Sequence, residues 1–283
     1  MIKIISDSTC DLSKELVEKY DIQILPLHIH LGEDEYEDGV TITPDQIYEW
    51  SDANNTTPQT AALSLGEAIE AFEPHLKNGD EIIVFSISDE MSSTGSTMRL
   101  AAAELEAEDR IHVINSANLS TGVGLLVLEA AEMARDGVPA VEIVARIEEL
   151  KPRVRASFVV DTLTYLHRGG RCSGVAALAG SVLQLHPRIA VENGKMDAGK
   201  KYRGKMNVVI KSYVKDMEED LLHSKKNRVF ITHSGCDAGI IAQVREYLEG
   251  LNYFEEILET RAGGVVSSHC GPGTLGVLFI QEA

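Results

Sequence analysis

Cysteine is scarce in this sequence and widely dispersed. Cys10, Cys172, Cys236 and Cys270 are the only four in 283 residues, with no C-x-x-C pair and no Cys/His cluster at zinc spacing. That excludes a zinc ribbon and a disulfide framework; in a chain of this length, scattered thiols read as reduced core residues, and no metal is expected. Long apolar runs are missing as well. Nothing approaches the roughly 18–20 residues of a bilayer span, so no integral membrane association is expected. After Met1 the chain turns polar at Ser6-Asp7, too early for the apolar region of a secretory signal. The expected location is cytoplasmic. Basic charge is the third shortage: 26 Lys and Arg stand against 44 Asp and Glu, a formal net charge of −18. Nucleic-acid binding is not expected, because attraction to phosphates needs a net positive face.

The few basic residues are concentrated. Residues 1–150 hold 8 basic and 30 acidic side chains, residues 151–215 hold 13 and 3, and residues 216–283 hold 5 and 11. A local net charge of +10 in an acidic protein marks a surface for one anionic ligand or an acidic partner. The remaining composition, 44% hydrophobic and 25% charged, is that of an ordinary globular protein.

Short β-rich runs alternate with helical stretches through the first half. Residues 3–6, 22–31, 81–87 and 111–114 read as strands; residues 13–20, 44–50, 65–76, 121–135 and 139–150 read as helices, with Thr43 capping the second. That alternation predicts βαβ units and a mainly parallel sheet flanked by helices. A second unit follows, with strands at 158–160, 189–191, 229–232, 256–260 and 276–280 and a hairpin turn at Glu192-Asn193-Gly194-Lys195. Helices are expected at 175–185, 208–223 and 238–251. The prediction is a two-lobed α/β protein. Residues 1–154 form the N-terminal lobe, residues 155–283 form an α/β lobe with a mixed sheet, and the ligand occupies the cleft and the C-terminal lobe.

Two motif matches fail on context. Gly271-Pro272-Gly273-Thr274-Leu275-Gly276 fits G-x-G-x-x-G, but too few residues follow for a helix, a second strand and a ribose-binding acid. Gly170-Arg171-Cys172-Ser173-Gly174 fits a nucleophile elbow with Cys172 as nucleophile, yet a helical turn, not a strand, leads into it. Four other stretches carry more chemistry. Residues 86–97 place a run of hydroxyls, Ser92 and Ser93 among them, where a buried strand gives way to a helix N-terminus, a setting for a carboxylate or phosphate. Residues 54–60 form a second hydroxyl-rich loop. Residues 263–273 present His269 in a glycine-rich loop, and residues 165–171 set Arg168 and Arg171 about a glycine pair.

Ser6-Asp7-Ser8-Thr9-Cys10-Asp11-Leu12, then Val159-Val160-Asp161-Thr162-Leu163-x-Tyr165-Leu166-x-x-Gly169-Gly170-Arg171, then His269-x-Gly271-Pro272-Gly273-x-x-Gly276, in this order and spacing, resemble the DegV family of bacterial fatty-acid-binding proteins. The resemblance runs the whole length. It implies two α/β lobes around one long-chain fatty acid, whose carboxylate is presented to a separate ATP-dependent fatty-acid kinase for phospholipid synthesis. The protein itself is then no enzyme and needs no cofactor beyond the bound lipid. By position, the resemblance implies carboxylate contacts from Thr57, Ser92, Ser93 and His269 with Arg171 nearby, and kinase docking through Arg203 and Arg171. The sequence departs from the family pattern at Pro58 and Ser93, where Ser and Gly are usual, and both changes bear on carboxylate geometry. Two other readings stay open: a carrier of another anionic lipid or small acid without a kinase, and a Cys or Ser hydrolase built on Cys172.

Overall fold

A computed structural model describes residues 1–175 and 185–282. Strands Ile2–Asp7, Gln23–Leu25, Glu81–Ser86 and Ile111–Asn115 form a sheet in which every pair is parallel, with Ile2–Asp7 and Glu81–Ser86 at its centre. Of the central strands, Glu81–Ser86 is continuously apolar and buried from Ile82 to Phe85, because helices cover both faces. Helices Leu65–Lys77 and Thr94–Glu104 pack together on one side, and Thr121–Arg135 and Ala140–Leu150 on the other. Capping follows the sequence: Thr43 with Gln46, and Ser64 with Glu67, each close a reciprocal capping box.

The second sheet is mixed and drawn entirely from residues 154–280. Its order is Glu256–Arg261, Arg228–His233, Leu275–Ile280, Val154–Val159, Leu185–Glu192, Lys195–Arg203 and Cys172–Ser173. Only the first and last pairs are parallel. The expected hairpin at residues 192–195 joins Leu185–Glu192 to Lys195–Arg203.

Helix Thr121–Arg135 joins the two sheets. It touches Ile2–Asp7 and Glu81–Ser86 on one side and Val154–Val159 and Leu275–Ile280 on the other. A helix walled in on all sides has no solvent face, which is why residues 121–131 are all buried. The acid among them, Glu129, is neutralised by Lys225 Nζ at 2.5 Å and accepts from Asn227 Nδ2 at 3.0 Å.

Three expectations change. The β-rich run at 22–31 is two strands: after Pro26-Leu27 the chain leaves the parallel sheet, and His28–Leu31 pairs with Asp34–Glu37 and Gln59–Ala61 in a separate antiparallel sheet. The helix expected over 208–223 breaks into Met206–Asp216 and Glu218–Leu222. Residues 263–273 are not a loop: Gly264–Cys270 is helical. The helix expected at 175–185 falls on residues 176–184, outside the described residues.

Candidate functional site

A cavity of about 290 Å³ opens between the parallel sheet, the small antiparallel sheet and helix Gly264–Cys270. Its walls are divided by chemistry. Thr60, Ser92, Ser93, Arg171 and His269 supply the polar side, and Leu27, Ile87, Met91, Leu119, Met196 and Val266 are among the apolar residues. Four of the five side chains predicted for a carboxylate therefore meet here.

Ser92 and Ser93 follow the carboxyl end of Glu81–Ser86 and introduce helix Thr94–Glu104. Ser93 holds the N-cap position without a side-chain bond and is exposed. Ser92 does the capping: its Oγ accepts from Thr94 N at 3.2 Å and lies 2.8 Å from Thr94 Oγ1. It thus serves the helix and lines the cavity at once.

His269 occupies the last turn of helix Gly264–Cys270. The preceding glycines act through close approach: a Cβ on Gly264 would come within 2.6 Å of Ile29 Cδ1 and 2.9 Å of Ile47 Cδ1. The helix start is fastened by buried carboxylates from the other end of the chain. Asp11 Oδ1 accepts from Gly263 N at 2.7 Å and Asp38 Oδ1 from Gly264 N at 2.5 Å, satisfying two otherwise orphaned amides. Asp11 also accepts from Ser120 Oγ, and Asp38 from Ser8 Oγ at 2.8 Å. Ser120 has φ +53° and ψ −144°, a strained backbone for a residue with a Cβ, held by that bond. Nearby, Asp7 accepts from Thr9 and from Ile87 N at 2.8 Å, tying the first strand to a cavity wall. Burial raises the pKa of Asp7 to about 6 and of Asp11 to about 8, and pushes Asp38 up as well; their mutual repulsion adds to the rise of Asp7 and Asp11.

The His269 imidazole is held at its two nitrogens differently. Nε2 lies 2.9 Å from Thr60 Oγ1. Nδ1 is buried without a hydrogen-bond partner among the described residues, against Gly169, where a Cβ would sit 2.5 Å away. Burial, helped by the Arg171 guanidinium, lowers the His269 pKa to about 4. At neutral pH the ring is uncharged, and Arg171 supplies the positive charge on the polar side of the cavity. Arg171 is exposed and anchored by its Nη1 donating to Gly169 O at 2.7 Å.

Two predicted residues lie elsewhere. Thr57 does not line the cavity; the hydroxyl facing His269 belongs to Thr60, on strand Gln59–Ala61. The strand's alternation turns Thr60 inward, a distinction invisible while residues 54–60 read as a loop. Arg203 is exposed at the far end of Lys195–Arg203. Arg171 precedes Cys172, which pairs with Met196, so the two arginines are separated by roughly 25 Å of extended chain. Sequence reasoning also missed Gly169, Asp11 and Asp38 as supports of His269.

Burial, with the Asp197 carboxylate, pushes the Cys172 thiol up to about 11, so it is protonated at neutral pH. Among the described residues no His/Cys/Asp/Glu group could hold a metal ion, and no helix is long and apolar enough to cross a membrane.

The family model described as "Uncharacterised protein, DegV family" matches residues 1–282. The chain belongs to the DegV family. A DegV domain-containing protein of Clostridium perfringens is 36% identical over 283 residues, spanning 99% of both chains. Among solved DegV-like structures, a fatty-acid-binding DegV family protein from Thermus thermophilus superposes with a TM-score of 0.91 at 29% identity, covering 99% of each chain. A stearic-acid-binding protein from Eubacterium ventriosum gives a TM-score of 0.86 at 30% identity, covering 99% of this chain and 98% of that one.

Proposed function

We propose that this DegV family member binds one long-chain fatty acid and presents its carboxylate to a separate ATP-dependent fatty-acid kinase, without itself being the catalyst. In this reading the chain divides at residue 154 into an N-terminal lobe and a C-terminal lobe that encloses the lipid. The observation that carries it is the division of one cavity into a hydroxyl, imidazole and guanidinium side and an apolar side. A carboxylate needs partners when buried, and charge-assisted bonds of about 1.5–3 kcal/mol each supply them. The tail supplies the affinity: at about 0.8 kcal/mol per buried CH₂, a 16-carbon chain gains on the order of 10 kcal/mol before binding costs. The fatty acids bound by the Thermus and Eubacterium relatives support the same ligand class here.

Native mass spectrometry of the purified protein, followed by organic extraction, tests the ligand. One fatty acid per chain is expected, weakened or lost in the Ser92→Ala/His269→Ala double variant. No lipid, even after incubation with palmitate and oleate, rejects the reading in favour of a small-acid carrier. Kinase docking is assigned to Arg171 at the cavity and Arg203 at the strand end, within the basic segment. Arg203→Glu is expected to abolish acyl-phosphate formation while lipid binding persists; loss of both rejects the docking role.

A further inference from the structure

The hairpin of residues 185–203 is attached unevenly. Its first strand, Leu185–Glu192, pairs with Val154–Val159 only through residues 188–190 and 157–159. Beyond Ala190 the sheet divides: residues 154–156 run on against residues 278–280, and a cleft of about 590 Å³ separates them from residues 191–194. The register also slips within the hairpin, where Gly199 and Lys200 stand opposite the single residue Arg188, a bulge that interrupts the pairing at that level. At and below the bulge the hairpin is fastened to helix Met206–Asp216. Tyr202 packs edge-on against Tyr213, its Oη donates to Asp216 at 2.7 Å, and Lys200 Nζ meets the same carboxylate at 2.6 Å.

The tip, residues 191–196, is fastened instead to the loop after strand Glu81–Ser86, the loop that supplies Met91, Ser92 and Ser93 to the lipid cavity. Ser88 Oγ donates to Gly194 O at 2.7 Å, and Lys195 Nζ lies 3.2 Å from Glu90 Oε2. Ser88 is fully buried, and Gly194 fits it closely: the glycine has φ +80°, and a Cβ there would stand 2.6 Å from Ser88 Oγ. Just past this latch, Met196 is buried in the apolar wall of the cavity and pairs with Cys172, the residue after Arg171. The tip therefore carries part of the apolar wall and borders the strand that follows the cavity's guanidinium.

We propose that the hairpin tip is a strap over the lipid cavity, swinging about the bulge at Arg188 and latched by Ser88 against Gly194; its role rests on the lipid reading of that cavity. An acyl tail on the apolar side has to pass the polar side, where Ser93 and Arg171 reach solvent, or leave through a wall that opens. Met196 stands on a wall with little sheet support, and the cleft behind residues 191–194 gives the tip room to move. Releasing the tip costs the Ser88 hydrogen bond, an exposed ion pair and the burial of Val191 and Met196, while the sheet at residues 157–159 stays paired. Ligand gates are drawn from such weakly held units, which open without global unfolding.

Two measurements test it. Hydrogen exchange of the lipid-free protein reads the latch without any ligand. Residues 191–196 are expected to exchange about five- to tenfold faster in Ser88→Ala and in Gly194→Ala, with residues 157–159 and 200–203 unchanged. The two variants act from opposite sides of the contact, so Gly194→Ala covers the case in which Ser88→Ala disturbs the loop of Ser92. Stopped-flow release of a fluorescent fatty acid, cis-parinaric acid, into excess albumin reads the gate. Both variants are expected to release it about five- to tenfold faster, with entry accelerated equally, so that Kd changes less than twofold. Parent-like exchange at residues 191–196 in both variants overturns the strap, and so does faster exchange with unchanged release. A parent protein that binds no parinaric acid overturns the lipid reading, and the strap's role with it.

Discussion

His269 is neutral at pH 7 because burial and Arg171 both disfavour its cation. A carboxylate bound beside it reverses part of that balance and raises the imidazole pKa. Binding of a fatty acid near pH 6 should therefore take up a fraction of a proton, and affinity should rise as pH falls toward 6. Calorimetry in buffers of different ionisation enthalpy reads this directly; the uptake should vanish in His269→Gln, and its persistence there would place the proton elsewhere. Thr60 and Thr57 separate just as cleanly. Thr60→Val removes the hydroxyl 2.9 Å from Nε2 and is expected to weaken lipid binding about fivefold to tenfold, the worth of one hydrogen bond. Thr57→Val, away from the cavity, should change it less than twofold.

Helix Gly264–Cys270 is the element on which the site depends, and it is positioned from its first turn. Two carboxylates fix its leading amides while Ile29 and Ile47 press where a side chain would stand. Gly264→Ala must displace buried isoleucines. A loss of about 1–3 kcal/mol in urea unfolding is expected, together with weakened ligand binding. Gly169→Ala acts at the other end of the same helix: its methyl would meet the His269 ring, so ligand affinity should fall by more than the stability does. The short helix Thr164–Gly169 and the strand Gln59–Ala61 thus frame His269 from opposite sides.

Across the whole molecule, Asp7, Asp11 and Asp38 link residues near the N-terminus to a helix near the C-terminus. Their folded pKa values lie above the unfolded carboxylate value of 3.8, so between about pH 4 and 8 the native state holds protons that the unfolded state has released. Stability from these groups is therefore greatest below pH 4 and falls as pH rises through about 6 for Asp7 and about 8 for Asp11. Asp11→Asn keeps an oxygen for Gly263 N and removes the charge. Its stability relative to the parent should improve between pH 5 and 8 by on the order of a few kcal/mol, measured by urea unfolding across that range. No relative gain with pH would mean that Asp11 is ionised in both states. The carboxylates thus trade stability for a fixed junction between the sheets.

Local pattern determined most of the elements here. The cap at Thr43, the apolar run of residues 82–85, the turn at Asn193-Gly194 and the long apolar helix after Ser120 are written in adjacent residues, and they fold as read. Ser92, Ser93, Arg171 and His269 were likewise legible as chemistry, because hydroxyls at a strand end and an imidazole between glycines are local signals. Tertiary structure decided what lies between distant segments. Only the antiparallel sheet shows that Thr60, and not Thr57, faces His269; only packing shows that residues 264–270 coil because Asp11 and Asp38 supply partners for their first amides. The cleft beside Arg188 exists because two strands stop pairing after three residues, and strand pairing is a relation between segments about thirty residues apart that neither segment encodes alone.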